Sequence, residues 1–308
     1  MAWKHISAPL YPWVKTIDRI VTVENPPTMN GSTMYIASDY SGMNKNNRYH
    51  VSVILCADLE ASGNWGFLRH KVRQQYLSDG RRMSYKSLSD RQRAKALGPF
   101  LSAAEYIHGL CFVVIINKAI RHLCLNAGDY DEMRKVADLR ARWKDRELEE
   151  ALRLTHFVGC LIGGLSQPNQ NIYWISDEDS LFANEVRSKD LARLLSSYSS
   201  HYAKYPLGEL GIGTTAIDEG DNIDEDFASV ADLVAGAIAE TTTRLSETYG
   251  GHIPYNLAVE YTNEFLPKAD LIARWFWLGK SNLRRVAVLF EKQRDGGFSV
   301  SRHQMLAG

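Results

Sequence analysis

Apolar residues in this chain follow two rhythms, short β-rich runs and longer stretches recurring every three or four residues, and the two alternate. Met34 to Ala37 and Tyr49 to Ala57 read as strands, and the polar loop from Gly42 to Asn47 predicts an antiparallel hairpin between them. Ser89-Asp-Arg-Gln92 has capping-box spacing and opens a helix expected to reach about His108, with a break at Gly98-Pro99 and a stop at Gly109. Cys111 to Asn117 is a β-branched run of the kind found in strands buried on both faces. A charged helical segment is expected from about Tyr130 to Leu165, with Met133, Val136, Trp143, Ala151 and Leu152 facing inward. Asn171 to Ser176 reads as a strand, Asn184 to Tyr198 as a helix and Leu210 to Ile217 as a short strand.

The helix expected from about Ile223 to Leu245 carries the sharpest signal. Phe227, Val230, Val234 and Ile238 form an apolar stripe, and Asp232 falls between it and a face of Ala228, Ala235, Gly236 and Ala239. Small neighbours let another backbone or a cation approach that carboxylate. Arg284 to Gln304 reads as a hairpin turning at Asp295-Gly-Gly297, either extending the edge of a sheet or forming an appendage. With no internal repeat or low-complexity linker, the economical reading is one α/β domain. Its expected organisation is a lead segment at 1–32, the domain at 33–250, and a helix and hairpin at 251–308 packed on it.

Charge changes the picture only locally. The 36 basic and 36 acidic residues cancel, so no overall field draws the chain to nucleic acid or anionic lipid. Between Arg69 and Lys95, however, nine Lys or Arg face two acids, and Asp218 to Asp226 holds six acids and no base. A basic strip suits a phosphate backbone and an acidic cluster suits a metal, although solvated surface is the simpler explanation of both. The four cysteines lack zinc-type spacing and read as reduced core residues. Met1 to Thr22 mixes polar and apolar residues throughout, and the longest apolar run, Leu110 to Ile116, is too short to span a bilayer. A soluble, cytoplasmic protein without membrane contact is expected.

Candidate chemistry rests on three acids. Asp39 and Asp177 end apolar runs, and Asp232 projects from the later helix, so the three can converge at a sheet edge where a cation would hold them together. Phosphodiester cleavage needs a water deprotonated near neutral pH and a stabilised leaving oxygen, which two cations about 3.5–4 Å apart supply. Hard Mg²⁺ or Mn²⁺ prefers carboxylate oxygen, which suits Asp without His or Cys. Glu178 and Asp179 follow Asp177, and Asp179 is the preferred additional ligand. Lys86 and Lys118 are candidates for holding the scissile phosphate, against a snorkelling alternative. Tyr40 and Trp174 read as packing residues. Gly211-Ile-Gly213 is followed by acids where a phosphate-binding helix should start, and Arg274 stands where the first glycine of a P-loop ending Gly279-Lys280-Ser281 belongs.

The Asp39-Tyr-Ser-Gly42 sequence following Met34-Tyr-Ile resembles the Asp-Glu-Ser-Gly signature that opens an uncharacterised bacterial family of ribonuclease-H-like proteins. Met83-Ser-Tyr-Lys-Ser-Leu-Ser-Asp90, Ile116-Asn-Lys118 and Val230-Ala-Asp-Leu-Val-Ala-Gly236 resemble that family's Lys-containing segment, strand-Lys ending and closing helix motif. The resemblance implies a ribonuclease-H-like mixed sheet with helices on both faces. It further implies a Mg²⁺- or Mn²⁺-dependent nuclease with Asp39, Asp177, Asp232, Lys118 and Lys86 in catalysis, and Asp39, Asp177, Asp179 and Asp232 on metal. Tyr40 replaces the family's Glu, and Glu105 is the positional candidate for a helical Glu. Nucleic acid is the expected partner, with a homo-oligomer or protein partner left open and defence against phage or mobile elements as the setting. The alternative is a non-catalytic module of the same fold that binds nucleic acid or a protein.

Overall fold

The computed structural model describes residues 3–44, 47–176, 181–215, 220–254, 256–259, 267–279 and 281–307. Strands β1 (Thr33–Ser41), β2 (Tyr49–Asp58) and β3 (His108–Asn117) form an antiparallel meander. β4 (Asn171–Ser176) runs parallel to β1 on its other side, and β5 (Leu210–Thr214) parallel to β4. The C-terminal hairpin, β7 (Leu283–Lys292) and β8 (Phe298–Ala307), is no detached appendage, because β7 pairs in parallel with β3. With β6 (Asn256–Val259) beside β8, the order is β5-β4-β1-β2-β3-β7-β8-β6. A three-strand meander extended by two parallel strands beside β1 is the ribonuclease-H-like arrangement expected from the sequence.

Side-chain alternation assigns the two faces. Met34, Ile36, Ile54, Phe112, Trp174 and Val288 point into a core shared with α1 (Val14–Glu24), α5 (Asp145–Leu165) and α6 (Glu185–Ala203). Ala37, Val53, Val113, Ile175 and Leu289 point the other way, against α2 (Gly63–Tyr76), α3 (Arg91–Ala104), α7 (Ile223–Thr248) and α8 (Lys268–Leu278). Because β2 and β3 are buried on both faces, they read as continuous apolar runs, and β4 has the bounds its sequence predicts.

Several local expectations need correction. Asp90, rather than Ser89, caps α3, accepting from the backbone of Gln92 and Arg93. The helix carries Pro99 inside it and ends at Ala104, before β3 begins at His108. The segment expected as one helix from Tyr130 is two, α4 (Tyr130–Val136) and α5. Val136 is exposed, while Trp143 is buried in the connection, its Nε1 donating to Asp190 at 2.9 Å. Among the described residues no helix is long and apolar enough to cross a membrane.

Candidate active site

The site is built where α7 crosses β1. Asp39 lies near the carboxyl end of β1 opposite Val53, on the same face as Ala37, and is half-buried. Its Oδ1 accepts from the backbone N–H of Tyr40 at 2.6 Å. Across from it, α7 buries Phe227, Val230, Val234 and Ile238, the stripe its sequence predicts, and so turns Asp232 toward the sheet edge, where it too is half-buried.

The segment around Lys86, to which the sequence pattern assigns no helix or strand, completes the site. Residues 81–84 and the short 3-10 turn Tyr85–Ser87 lie along α7. Ser229 Oγ donates to the Met83 carbonyl at 2.8 Å, and the Tyr85 backbone N–H donates to Asp232 Oδ2 at 2.7 Å. One turn further on, a Cβ at Gly236 would fall well inside contact with the Tyr85 ring, so only glycine lets the segment lie this close. The Tyr85 hydroxyl donates to Glu240 at 2.5 Å, and burial raises its pKa. Lys268 of α8 sits over the ring at 4.2 Å and donates to the Tyr85 carbonyl. Asp232 is thus held by a backbone donor that is itself fixed on both sides.

Asp39 and Asp232 face one groove of about 760 Å³. Arg82, Ser84, Lys86 and, further along, Glu240 and Arg244 also line it. An adjoining cleft adds Thr215 and Glu225 to Asp39, Arg82 and Asp232. Glu225 lies seven residues before Asp232, two turns along one helix face, a spacing that the sequence alone carries but that stands out only once α7 is seen to cross β1.

The structure therefore brings Asp39, Asp232 and Lys86 together. Asp177 and Asp179, with Glu178, lie outside the described residues. Lys118 does not line the groove: it follows β3 at the mouth of a cavity bounded by α5, on the other face of the sheet, and its Nζ donates to the Asn44 carbonyl at 2.5 Å. Burial, with the charge of Arg146 second, lowers its pKa. Glu105 is also elsewhere, at the C-terminus of α3, pairing at 2.5 Å with Arg285 of β7, three strands across from β1. Trp174 is a packing residue, fully buried with Nε1 donating to Ser38 Oγ at 2.9 Å. Tyr40 packs near His50, with ring centroids 5.8 Å apart. Among the described residues no group of three or more His, Cys, Asp or Glu could hold a metal ion.

The charged runs also resolve. Arg69 and Arg73 from the basic strip reach Asp226 from the acidic run, which is fully buried. That pairing fastens α2 to the first turn of α7, so these residues are neither solvated surface nor metal ligands. Arg82 and Lys86, by contrast, are exposed and line the groove.

No family model matches the chain, and neither does any curated protein. Among solved structures it is similar to the ribonuclease H2 from Pyrococcus horikoshii OT3, at 16% sequence identity with a TM-score of 0.36. The match covers 72% of this chain and 81% of that one. The class of the present protein, an α/β ribonuclease-H-like domain, rests on its own strand order and directions.

Proposed function

We propose that the protein is a metal-dependent nuclease working at the Asp39–Asp232 groove. The observation that carries this reading is the meeting of one carboxylate from β1 and one from α7 in a groove whose rim is cationic. Oxygen donors without His or Cys suit Mg²⁺ or Mn²⁺. Asp39 and Asp232 would hold the ion, with Asp177 and Asp179 completing the set. Bound there, the metal would supply a more acidic water and stabilisation of the leaving oxygen. Arg82 and Lys86 would bind the phosphate backbone on either side of the scissile bond. The Tyr85 backbone N–H holds Asp232 through its Oδ2 in the wall of the groove. Nucleic acid is then the substrate, and membership of the bacterial family with the Asp-Glu-Ser-Gly opening belongs to the same proposal.

The test is cleavage of labelled single-stranded, duplex and hybrid nucleic acids with Mn²⁺, Mg²⁺ or chelator, comparing wild type with Asp39→Asn and Asp232→Asn. Metal-dependent cutting that both substitutions remove is expected. Cutting that survives both substitutions, or that persists in chelator, would show the groove is not the active site. Binding without cleavage, unchanged in both variants, would favour the non-catalytic module.

A further inference from the structure

On the opposite face of the sheet, a cavity of about 520 Å³ opens between the end of β3, the 119–124 loop and the first half of α5. The groove reading makes no use of it. Its frame is tightly fixed by Glu149, which is buried and accepts from the backbone N–H groups of Leu123 and Cys124 at 2.6 and 3.1 Å and from the Tyr130 hydroxyl at 3.1 Å. Arg153 neutralises that carboxylate at 2.7 Å and donates to the carbonyls of Ile120 and Arg121. The loop is thereby pinned to α5 before any ligand arrives.

What remains at the mouth is positive. Among the described residues Arg121 has no ion-pair partner, Lys118 has only a carbonyl, and the Arg146–Glu150 pair is a surface contact with Arg146 71% exposed. Asp145, the other acid on the lining, is taken by Arg134. Deeper in, the lining turns apolar with the buried Ile116 and Ile120, Met43 lies exposed on the same lining, and the exposed His122 ring stands beside Tyr130, its Nδ1 2.9 Å from that hydroxyl. His50 also lines the cavity, and its buried Nε2 has no hydrogen-bond partner. A buried polar atom without a partner costs free energy that a ligand donor or acceptor would recover. A concave, partly apolar site of this size with polar groups at few points is the usual form of a small-molecule site.

We propose that this cavity binds a phosphorylated nucleoside, with the phosphate at Lys118, Arg121 and Arg146 and the base on the apolar floor beside His122 and His50. Guanidinium and ammonium groups match phosphate oxygens, while the base supplies the flat apolar surface and ring nitrogens that the floor and His50 can meet. The inference stands apart from the nuclease reading, since none of these five residues lines the groove. It bears on the groove all the same: Met43 lines both spaces, and Lys118 holds Asn44 of the groove wall.

Isothermal titration of the full chain tests it. The probes are AMP, GMP, CMP and UMP, a 5′-phosphorylated oligonucleotide, adenosine and inorganic phosphate, against wild type, Arg121→Glu, Lys118→Glu and Asp39→Asn. Saturable binding of at least one mononucleotide is expected, with adenosine and phosphate each at least tenfold weaker. The two charge reversals should weaken it at least tenfold and Asp39→Asn leave it within twofold. Binding confined to the oligonucleotide, and lost in Arg121→Glu, would identify a strand end as the source of the same chemistry. Absence of saturable binding by any probe, phosphate as tight as the best nucleotide, or affinity that follows Asp39 rather than Arg121 would overturn the assignment. Both reversals replace side chains at the cavity mouth, and unchanged circular dichroism and melting temperature would confirm that they fold.

Discussion

Replacing Asp226 by Asn should destabilise the protein more than any change in the groove itself. The carboxylate is fully buried and receives three charge-assisted hydrogen bonds, from Arg69 Nη1 at 3.0 Å and from Arg73 Nε and Nη2 at 2.7 and 2.8 Å. Both guanidiniums are nearly buried as well, with side chains 7% and 9% exposed. Asn removes the negative charge and turns an amide donor toward a cation, leaving the buried Arg73 uncompensated and Arg69 with only the exposed Asp221 at 3.9 Å. Removing one partner of a buried pair costs about 3–5 kcal/mol. At roughly 2.1 cal/mol/K per residue, the 308-residue chain has an unfolding entropy near 0.65 kcal/mol/K, so the melting temperature should fall by about 5–8 °C. Calorimetry at pH 7 reads this directly. The triple variant Asp226→Leu, Arg69→Met, Arg73→Met should recover most of the loss, because an apolar set of similar volume carries no desolvation cost. A drop below 2 °C for Asp226→Asn, or a triple variant no better than the single one, would refute the buried-pair argument.

Three further outcomes follow from the same geometry. Gly236→Ala should cost about 1–3 kcal/mol by overpacking against the Tyr85 ring, and should weaken groove activity by shifting the Tyr85 N–H from Asp232; a variant that melts and acts like wild type would show that the segment can move freely. Glu105→Gln should lower stability by about 1–3 kcal/mol through its partner Arg285, whose side chain is 3% exposed, yet leave groove activity unchanged; loss of activity at full stability would return Glu105 to the site. His156 is fully buried, and burial, with the charge of His201 second, lowers its pKa from 6.5 to about 3. The unfolded chain therefore takes up a proton below pH 6.5 that the folded chain refuses until about pH 3, so stability falls as pH drops through that window, by about 2 kcal/mol from this group between pH 6.5 and 5. Denaturant titrations across that range should show the slope, and His156→Leu should flatten it; an unchanged slope in the variant would assign it to other groups.

Periodicity by itself determined the alternation of strands and helices, the bounds of β4 and the inward stripe of α7, because burial on a strand or helix face forces a fixed spacing of apolar residues, whatever packs against them. The same spacing turned Asp232 off the core, and the end of an apolar run marked Asp39, although β1 continues past it to Ser41. Local pattern could not locate Lys118 and Glu105, since the face a strand-end residue takes and the partner a helix-end acid finds depend on which element crosses there. The pairing of Arg69 and Arg73 with Asp226 joins residues about 150 apart, so each run of charge looked like surface when read alone. Tertiary structure also decided that the Met83–Tyr85 segment lies on α7 and supplies the donor to Asp232. The physical reason is that a backbone N–H carries no sequence signature, and only the close approach that Gly236 permits brings this one to the carboxylate.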